Sequence, residues 1–570
     1  MTGPRVSVVV PVYNPGRDID RLIDSLGRQS LPPDAFEAIL VDDGSTDGTG
    51  ARLDALAAER PNVQVIHIPN SGWPGRPRNV GMDAASGEFI QFVDCDDYLG
   101  DEALERLTAF ARDNAADIAV GKVVSDFRGV ADALFRVDRP RCTIHDAPLV
   151  STLTVHKLFR TSFLREHGIR FVEGRRRLED QLFTLAAYLA TDRIAVLASY
   201  PCYYYMRRRD SRHIAAIEID PPGYYDSVRQ VLGILDAGTE PGPARDNLRR
   251  RWYRNEILSR LSEPTIHRYT PELRHRLFEA VRETERDVMS PAIVAGLGAM
   301  QRARARLLQD GREADLLELA TRASRIVAAV SIREVRWQGE RLRISLEARF
   351  QDAESREPVV LARSPEGLRL DPALLAGLVD DPIAIDEAVD ALKVTGVLRD
   401  SVTSIEWPMH QSTVLELVPT GQTSPAGPTV IPVGLAVLTV DPLVAAGGRR
   451  LPPGSWQLVL RLSGLGLSRA VAALERSAGL GSSWPAILGS PAFAARALLD
   501  DASQLRLDVD STDRGLEPRT PRPGALIQLA VVAGARRAFR ALPKGAQRFV
   551  RAAARRRRRA HRRAPRRGRG

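Results

Sequence analysis

The chain has 570 residues, of which 44% are hydrophobic and 27% are charged, the composition of a globular protein with several domains. Its 43 glycines and 38 prolines exclude a collagen, and its three cysteines provide neither a disulfide framework nor the spacing of a metal site. The net charge of +10 arises in the tail, because fifteen arginines, one lysine and no acidic residue lie between Arg536 and the end.

Four apolar runs occur in the first hundred residues, with helical periods between them. They are VSVVVPVY (6–13), FEAILVDDG (36–44), NVQVIHIP (62–69) and GEFIQFVD (87–94). Such alternation predicts strands buried on both faces of a mostly parallel, Rossmann-like α/β sheet. Polar residues follow each run. Because ligands bind these sheets at the carboxyl ends of the strands, we expect the four polar clusters to converge on one site.

Later in the chain the sequence pattern changes twice. Residues 1–220 are predicted to form the α/β domain, and the helical period of residues 221–325 predicts a helical linker. Period-two alternation between Pro/Gly turns predicts an antiparallel β-sandwich over residues 326–510, either as one domain or as two small ones. Residues 511–570 are a basic tail, either amphipathic or disordered.

One acidic motif lies directly after the fourth apolar run. In Asp94-Cys95-Asp96 the two carboxylates share a face, because alternate residues of a strand point the same way. Two hard oxygen ligands suit Mg²⁺ or Mn²⁺. An ordinary exposed acidic turn would have the same sequence, so the motif gains meaning only from its context.

That context is a set of motifs that occur in a fixed order within residues 5–215. They are VSVVVPVYN, LVDDGSTDGT, NSGWPGRPRNVGMDAASGEFIQFVDCDDYL and LEDQLF. The set resembles glycosyltransferase family 2, which implies a GT-A fold and an inverting, metal-dependent transfer from a nucleotide-diphosphate sugar. PRN at 77–79 differs from the A-R-N of many relatives. The loop NSGWPGRPRNVG and the domain order further resemble the wall teichoic acid glycosyltransferases, which have a C-terminal immunoglobulin-like region.

The resemblance implies roles for individual residues. Asp180 becomes the general base within the Glu179-Asp180 pair, and its position at a helix start should keep it anionic. Asp96 becomes the direct ligand of Mn²⁺ or Mg²⁺, while His213 is a third ligand, a phosphate donor or an ordinary loop histidine. The binding of a UDP-sugar donor is assigned to Pro11, Tyr13, Asp43, Asn70, Arg78, Asp94, Arg207 and Ser211. The ring of Tyr13 would stack on the base, or else pack in the strand–loop corner.

The resemblance also implies partners and a location. The acceptor is expected to be an anionic polymer such as teichoic acid, or a lipid-linked glycan. Arg251 and Arg254 are candidates for contacting it, although a solvated helix face explains them equally well. The sandwich would assemble the protein, as a trimer in the resembled family. The sequence has no apolar run of roughly 18 residues and no signal-peptide pattern. We therefore expect a cytoplasmic protein, held by its tail on the anionic inner face of the cell membrane.

Two other classes of protein compete with this interpretation. The arginine-rich tail would suit a nucleic-acid-binding protein, and the sandwich would suit a nonenzymatic scaffold. The charge is confined to the tail while the remaining residues are mildly acidic, so we expect no nucleic-acid partner. The complete motif set argues against a scaffold.

Overall fold

A computed structural model describes residues 3–125, 127, 130, 133–207, 219–370, 372–379, 381–477, 480–489, 493–500 and 502–510. The tail 511–570, with its predicted membrane contact, lies outside the described residues. The α-helices are α1 (Ile19–Gly27), α2 (Thr49–Glu59), α3 (Gly75–Ala84), α4 (Ala103–Asp113), α5 (Thr161–Glu166), α6 (Glu179–Leu189), α7 (Pro221–Ala237), α8 (Pro243–Trp252), α9 (Pro271–Val288), α10 (Pro291–Ala295), α11 (Ala299–Gln309), α12 (Glu313–Ser324) and α13 (Pro372–Leu375). None of these helices has the length and apolarity needed to cross a membrane.

The described residues of the N-terminal part are built on a nine-stranded sheet. Its strands are β1 (Val6–Val12), β2 (Phe36–Asp42), β3 (Val63–His67), β4 (Phe89–Phe92), β5 (Tyr98–Leu99), β6 (Ile118–Ser125), β7 (Arg139–Cys142), β8 (Leu158–Arg160) and β9 (Ile194–Tyr205). Eight of them follow the order β3-β2-β1-β4-β8-β6-β9-β5, and β7 pairs with β9. The first four in this order are parallel, as predicted, whereas β8 is antiparallel to both β4 and β6.

The burial of these strands follows their position in the sheet. Every residue of the central strand β1 is buried, which explains its uninterrupted run of apolar residues. Strand β3 has no fully buried residue. The predicted burial on both faces is therefore wrong for β3, because this strand lies at the edge of the sheet.

The described residues after 325 form two seven-stranded sheets and the short helix α13. One contains β10 (Ile326–Gln338), β11 (Arg341–Asp352), β12 (Leu361–Ser364), β13 (Gly367–Leu370), β16 (His410–Ser424), β17 (Gly427–Val440) and β20 (Glu475–Arg476). The other contains β14 (Lys393–Asp400), β15 (Glu406–Pro408), β18 (Gly454–Gly464), β19 (Leu467–Ala470), β21 (Ser483–Leu488), β22 (Phe493–Leu499) and β23 (Leu505–Val509). Their strand pairs are antiparallel, except for the short β10–β20 pair. The predicted α/β domain, helical linker and C-terminal antiparallel sheets are confirmed, whereas the packing of the two sheets as a sandwich and the character of the basic tail stay predictions.

The strand-rich part contacts the α/β domain through buried side chains. Trp407 of β15 lies against the buried Lys122 of β6, with Nζ 4.6 Å from the ring centroid, and Phe135 lies 5.6 Å from the same Nζ. At Gly447, which has a φ of +61°, a Cβ atom would lie 2.5 Å from the Cα of Ser199. This backbone approach therefore requires glycine at position 447.

Candidate active site

The carboxyl ends of β2 and β3 are joined by hydrogen bonds around Asp43. Its carboxylate accepts from the backbone N–H of Ser71 at 2.8 Å and from the Ser71 hydroxyl at 2.9 Å, while Asn70 Nδ2 donates to the Asp43 carbonyl at 2.8 Å. Gly44 has a φ of +73°, and a Cβ there would lie 2.8 Å from the Asn70 nitrogen. Burial raises the pKa of Asp43, although the bonds from Ser71 oppose the shift. Two predicted donor residues, Asp43 and Asn70, thus lie together.

The first strand presents Tyr13 but not Pro11. Pro11, which was assigned to donor binding, lies inside β1, where it pairs with Val41 and is buried. Tyr13 lies just beyond the strand and is 47% exposed. Its ring is therefore not packed into the core, and base stacking stays a prediction.

Arg78 joins the end of β4 to the start of α6. It lies on α3 and is 4% exposed, and it donates to Asp94 Oδ1 at 2.9 Å and to Glu179 Oε1 at 3.2 Å. Trp73 Nε1 donates to the other Glu179 oxygen at 3.2 Å. Burial would lower the pKa of Arg78, but Asp94 and Glu179 together hold it above its ordinary value. The guanidinium therefore orients two carboxylates of the predicted site; its predicted contact with the donor stays a prediction.

The second oxygen of Asp94 faces a buried histidine. His156 Nε2 lies 3.0 Å from Asp94 Oδ2, and the imidazole stacks on Tyr203 with the ring centroids 4.0 Å apart. Burial alone would raise the pKa of Asp94, but Arg78 and His156 outweigh it and hold this pKa well below its ordinary value. Burial lowers the pKa of His156. Asp94 is accordingly a carboxylate whose two oxygens already have donors.

Asp97 completes the acidic cluster. Its oxygens accept from the Tyr203 hydroxyl and from the Met206 N–H, both at 2.7 Å. Burial, with the neighbouring charges of Asp96 and Asp94, raises the pKa of Asp97 well above its ordinary value.

The chemistry of this cluster fits a divalent cation. One ligand atom from each of Asp94, Asp97 and His156 lies within 4.8 Å of the other two. Asp96, the predicted ligand, is partly exposed between Asp94 and Asp97. Oxygen donors crowded in this way suit Mg²⁺ or Mn²⁺. The oxygens of Asp94 and Asp97 accept hydrogen bonds from protein groups, and direct contact between Asp96 and a metal stays a prediction.

Asp180 lies in the first turn of α6, next to Glu179. Its Oδ1 accepts from the Gln181 N–H at 2.8 Å. Burial, reinforced by the Glu179 charge, raises the pKa of Asp180 to about 7. The helix start therefore does not hold the pKa of Asp180 low, because desolvation and a like charge outweigh the modest effect of the helix dipole. With a pKa of about 7, roughly half of the Asp180 carboxyls are ionised at neutral pH. Burial lowers the pKa of the nearby Lys157 to about 7, against the attraction of Asp180.

If Asp180 is the general base, its pKa of about 7 predicts that the rate of the reaction depends on pH. Only the deprotonated carboxyl accepts a proton, so kcat/KM should rise as the pH increases through about 7 and level off above it. Rates of nucleotide release between pH 5.5 and 8.5 measure this, and binding of donor to the protein at the same pH values is the control. A profile that is flat through neutrality would contradict the assignment of Asp180.

The remaining predicted residues are exposed, bonded to the linker or outside the described residues. Arg207 is exposed, with its guanidinium 5.5 Å from the centroid of Phe127, while Ser211 and His213 lie outside the described residues. Arg251 donates to Gln181 Oε1 at 3.1 Å and to Glu256 Oε1 at 2.9 Å. Its guanidinium is thus engaged inside the protein, contrary to the predicted role in acceptor binding, whereas Arg254 is exposed.

Five residues of the site were absent from the sequence prediction. Only Trp73 and Asp97 had a signal, because both lie in quoted motifs next to chosen positions. The others lie in segments without a strand-end signature, and they contact the site only through tertiary packing. The five are Trp73, Asp97, His156, Lys157 and Tyr203.

Comparison with known proteins agrees with this geometry. Residues 7–162, which contain β1 to β4 and the acidic cluster at the end of β4, match the family model described as Glycosyl transferase family 2. The chain carries a glycosyltransferase family 2 domain. We use the term glycosyltransferase domain for the whole α/β domain from β1 to β9, which also contains Asp180. Residues 221–320 match the model described as Glycosyl transferase TarS linker domain, so the helical region after the glycosyltransferase domain is a linker of this type.

Relatives with known names resemble the same part of the chain. A poly(ribitol-phosphate) beta-glucosyltransferase of Bacillus spizizenii is 39% identical over 235 residues, and the poly(ribitol-phosphate) beta-N-acetylglucosaminyltransferase TarS of Staphylococcus aureus is 37% identical over 239. Each alignment spans 41% of this chain, but only 37% and 41% of the respective relative. A crystal structure of S. aureus TarS 1-349 in complex with UDP-GlcNAc is 26% identical with a TM-score of 0.51, covering 62% of this chain and 98% of that one.

Proposed function

We propose that the protein is an inverting, metal-dependent glycosyltransferase that moves a sugar from a UDP-sugar to an anionic cell-envelope polymer. One observation carries this proposal. Arg78 ties the Asp94 end of strand β4 to the first turn of α6, so the predicted metal motif and the predicted base belong to one site. The relatives are named poly(ribitol-phosphate) glycosyltransferases, which supports this choice of acceptor.

The proposed chemistry is a single in-line displacement. An acceptor hydroxyl attacks the anomeric carbon while the bond from that carbon to the UDP oxygen breaks, so the configuration inverts. Asp180 takes the hydroxyl proton, and UDP leaves with the bonding electrons. Glu179 keeps its place through Arg78 and Trp73, and its negative charge helps to raise the pKa of Asp180 into the range useful for a base.

Donor recognition is assigned to the ends of the first three strands. Tyr13 offers an exposed ring for stacking on a base. Asp43 and Asn70 lie together at the neighbouring strand ends, where hydrogen bonds to uracil and ribose are expected. A divalent cation on Asp96 would neutralise the charge of the diphosphate. UDP-GlcNAc is bound in the related crystal structure of S. aureus TarS 1-349 and is the first candidate donor here.

The function is tested by screening the purified protein against UDP- and GDP-sugars with Mn²⁺ or Mg²⁺. Release of UDP from UDP-GlcNAc or UDP-glucose, increased by added poly(ribitol phosphate), is the expected result. Inversion is checked by NMR of the product linkage. Absence of nucleotide release from every sugar donor would exclude the proposal.

Replacing Asp96, the predicted metal ligand, should abolish metal binding while the protein still folds. Asp96→Ala is expected to abolish the enhancement of donor binding by Mn²⁺, and a chelator should inactivate the wild type. Calorimetric titration of UDP with and without Mn²⁺ measures the effect. Asp101→Ala, which removes an exposed carboxylate paired with Arg28, is the matched control. Full activity in the chelator would remove the metal from the mechanism.

A cationic cavity supports an anionic acceptor. It has a volume of about 440 Å³ and lies between the glycosyltransferase domain and the strand-rich part, with Arg136, Arg399 and Arg461 in its lining. Arg399 pairs with Glu406. Within the described ranges, neither Arg136 nor Arg461 forms an ion pair with a carboxylate. Two guanidinium groups without a counter-charge suit the phosphates of a polymer.

Removing both of these charges should weaken acceptor binding but not donor binding. The double variant Arg136→Ala/Arg461→Ala should raise KM for the polymer about tenfold or more, the usual effect of losing charged hydrogen bonds. Hydrolysis of the donor should be unchanged. Arg268→Ala/Arg286→Ala removes two exposed linker arginines and controls for net charge. Equal effects of the two pairs would indicate nonspecific attraction.

Two further proposals follow from the resemblance. The strand-rich part would assemble the protein, as a trimer, and the arginine-rich tail would attach it to the anionic inner face of the cell membrane. Both extend the proposed function by bringing several sites close to a lipid-linked polymer. Light scattering and flotation with phosphatidylglycerol vesicles are the corresponding measurements.

A further inference from the structure

The helical linker reaches into the glycosyltransferase domain at the residue that follows Asp180. Gln181, in the first turn of α6, is 8% exposed. Its side-chain oxygen accepts hydrogen bonds from Trp252 Nε1 at 3.0 Å and from Arg251 at 3.1 Å. Both donors lie at the end of linker helix α8. One side chain of the glycosyltransferase domain is therefore held by two side chains of the linker.

Glu256 closes this arrangement from the other side. Its Oε1 accepts from Gln181 Nε2 at 3.3 Å and from Arg251 at 2.9 Å, and its Oε2 accepts from the Tyr224 hydroxyl. Glu256 is 7% exposed. It lies on a π-helical turn, Tyr253–Ile257, directly after α8, the kind of local widening that often occurs at functional sites. Every polar atom of the Gln181 side chain is thus used by the linker.

The backbone just before α6 is strained. Leu178 has a φ of +59°, in the left-handed region that a leucine rarely adopts. Such a conformation is unfavourable and persists only where the surroundings enforce it. The first turn of α6 follows at once, with Glu179, Asp180 and Gln181. The linker contacts Gln181 three residues after Leu178, close to the backbone that must be held in this conformation.

We propose that the linker positions the catalytic base. In this inference, which rests on the proposed function, Arg251, Trp252 and Glu256 clamp Gln181 and so fix the first turn of α6 in the geometry that aims Asp180 at the acceptor. These linker residues and Gln181 are positioning residues, because they act through Asp180. Turnover would then depend on an intact linker even though every predicted reacting group lies in the glycosyltransferase domain.

A simpler explanation is that the same contacts only hold two parts of the protein together. Both explanations predict lower stability when the network is broken. They differ in the motion of the first turn of α6, and in whether kcat falls while donor affinity is kept. The experiment therefore needs a control that removes a buried linker hydrogen bond without touching Gln181.

The full-length variant Gln181→Met keeps the length of the side chain but removes all of its hydrogen bonds. The control is Tyr253→Phe, which removes the buried bond from Tyr253 to Glu285 at 3.1 Å in the adjacent turn. Hydrogen exchange of peptides spanning 178–185, kcat and KM for nucleotide release, UDP affinity and thermal melting are measured for both. Glu256→Gln, which preserves shape, is the milder variant to use should Gln181→Met not fold.

In Gln181→Met, the amides of the first turn of α6 should exchange about tenfold or more faster, and kcat should fall 10- to 100-fold with UDP affinity within twofold of wild type. Tyr253→Phe should keep the wild-type exchange and kcat, and Glu256→Gln should give an intermediate change.

Unchanged exchange in Gln181→Met, or faster exchange with unchanged kcat, would overturn the inference. Loss of kcat and UDP affinity together would show a purely structural role. A wild type that releases no nucleotide would instead refute the proposed function, and with it the catalytic part of this inference.

Discussion

Replacing Asp180 with asparagine should lower turnover by a factor on the order of 10² to 10⁴, the usual contribution of a general base. The amide is nearly isosteric, and its oxygen can still accept the hydrogen bond from the Gln181 N–H. Folding and donor affinity should therefore be kept. An amide has no useful basicity, so the acceptor proton would have to leave to water.

The comparison that isolates the base uses a second aspartate near the other end of the same helix. Asp192 lies just beyond α6 and is exposed in an ion pair with Arg141, so Asp192→Asn should leave turnover unchanged. The rise of kcat/KM through about pH 7 should also disappear from the residual activity of Asp180→Asn. Donor binding that is lost while turnover stays near wild type would assign Asp180 to the donor rather than to proton transfer.

The sheet could be predicted from the sequence because its cause is local. Apolar runs separated by helical periods determine which segments become buried strands, and parallel pairing then brings their polar ends to one edge. This explains why Asp43 and Asn70, which were chosen from the sequence, lie together at neighbouring strand ends. The position of a strand within the sheet depends on distant parts of the chain. The sequence therefore did not show that β3 lies at the edge and is only half-buried.

The internal bonding of the site could not be predicted, because it joins residues far apart in the chain. Arg78 was chosen for the donor, yet its two carboxylate partners, Asp94 and Glu179, lie 16 and 101 positions away. His156 reaches Asp94 across 62 positions. The periodicity of the sequence contains no information about such distant pairs. Arg251 shows the same difficulty, since an arginine cluster on a helix has the same sequence whether it faces solvent or pairs with a buried Glu256.

The raised pKa of Asp180 could not be predicted for the same reason. The helix start is visible in the sequence and favours the anion by about 0.3–1 kcal/mol. The burial of the carboxyl depends on the packing of separate elements around it. A pKa near 7 in place of about 4 corresponds to several kcal/mol at 1.36 kcal/mol per pKa unit. The larger effect was therefore the one that the local sequence does not contain.

Replacing Arg78 with methionine should have the largest effect on stability. The guanidinium is buried between Asp94 and Glu179, and its removal would leave two carboxylates without their partner. Breaking a buried ion pair typically costs about 3–5 kcal/mol of unfolding free energy. Urea unfolding measures this loss. Arg170→Met is the control, because Arg170 pairs with Asp83 at the surface and such pairs contribute about 0–1 kcal/mol.

The pH dependence of the Arg78→Met effect distinguishes lost charge pairing from lost packing. In the wild type the pKa of Asp94 is depressed, so its ionised form contributes stability that is present above its unfolded pKa of about 4 and is lost only as the pH falls through the lower folded pKa. Without Arg78 this pKa should rise, and the variant can relieve the penalty by binding a proton as the pH falls. The difference in unfolding free energy between wild type and Arg78→Met should therefore be largest near pH 7 and shrink toward pH 4. A difference that does not change with pH would mean that the methionine disturbs packing, and that the bridge between Asp94 and Glu179 is not what Arg78 contributes.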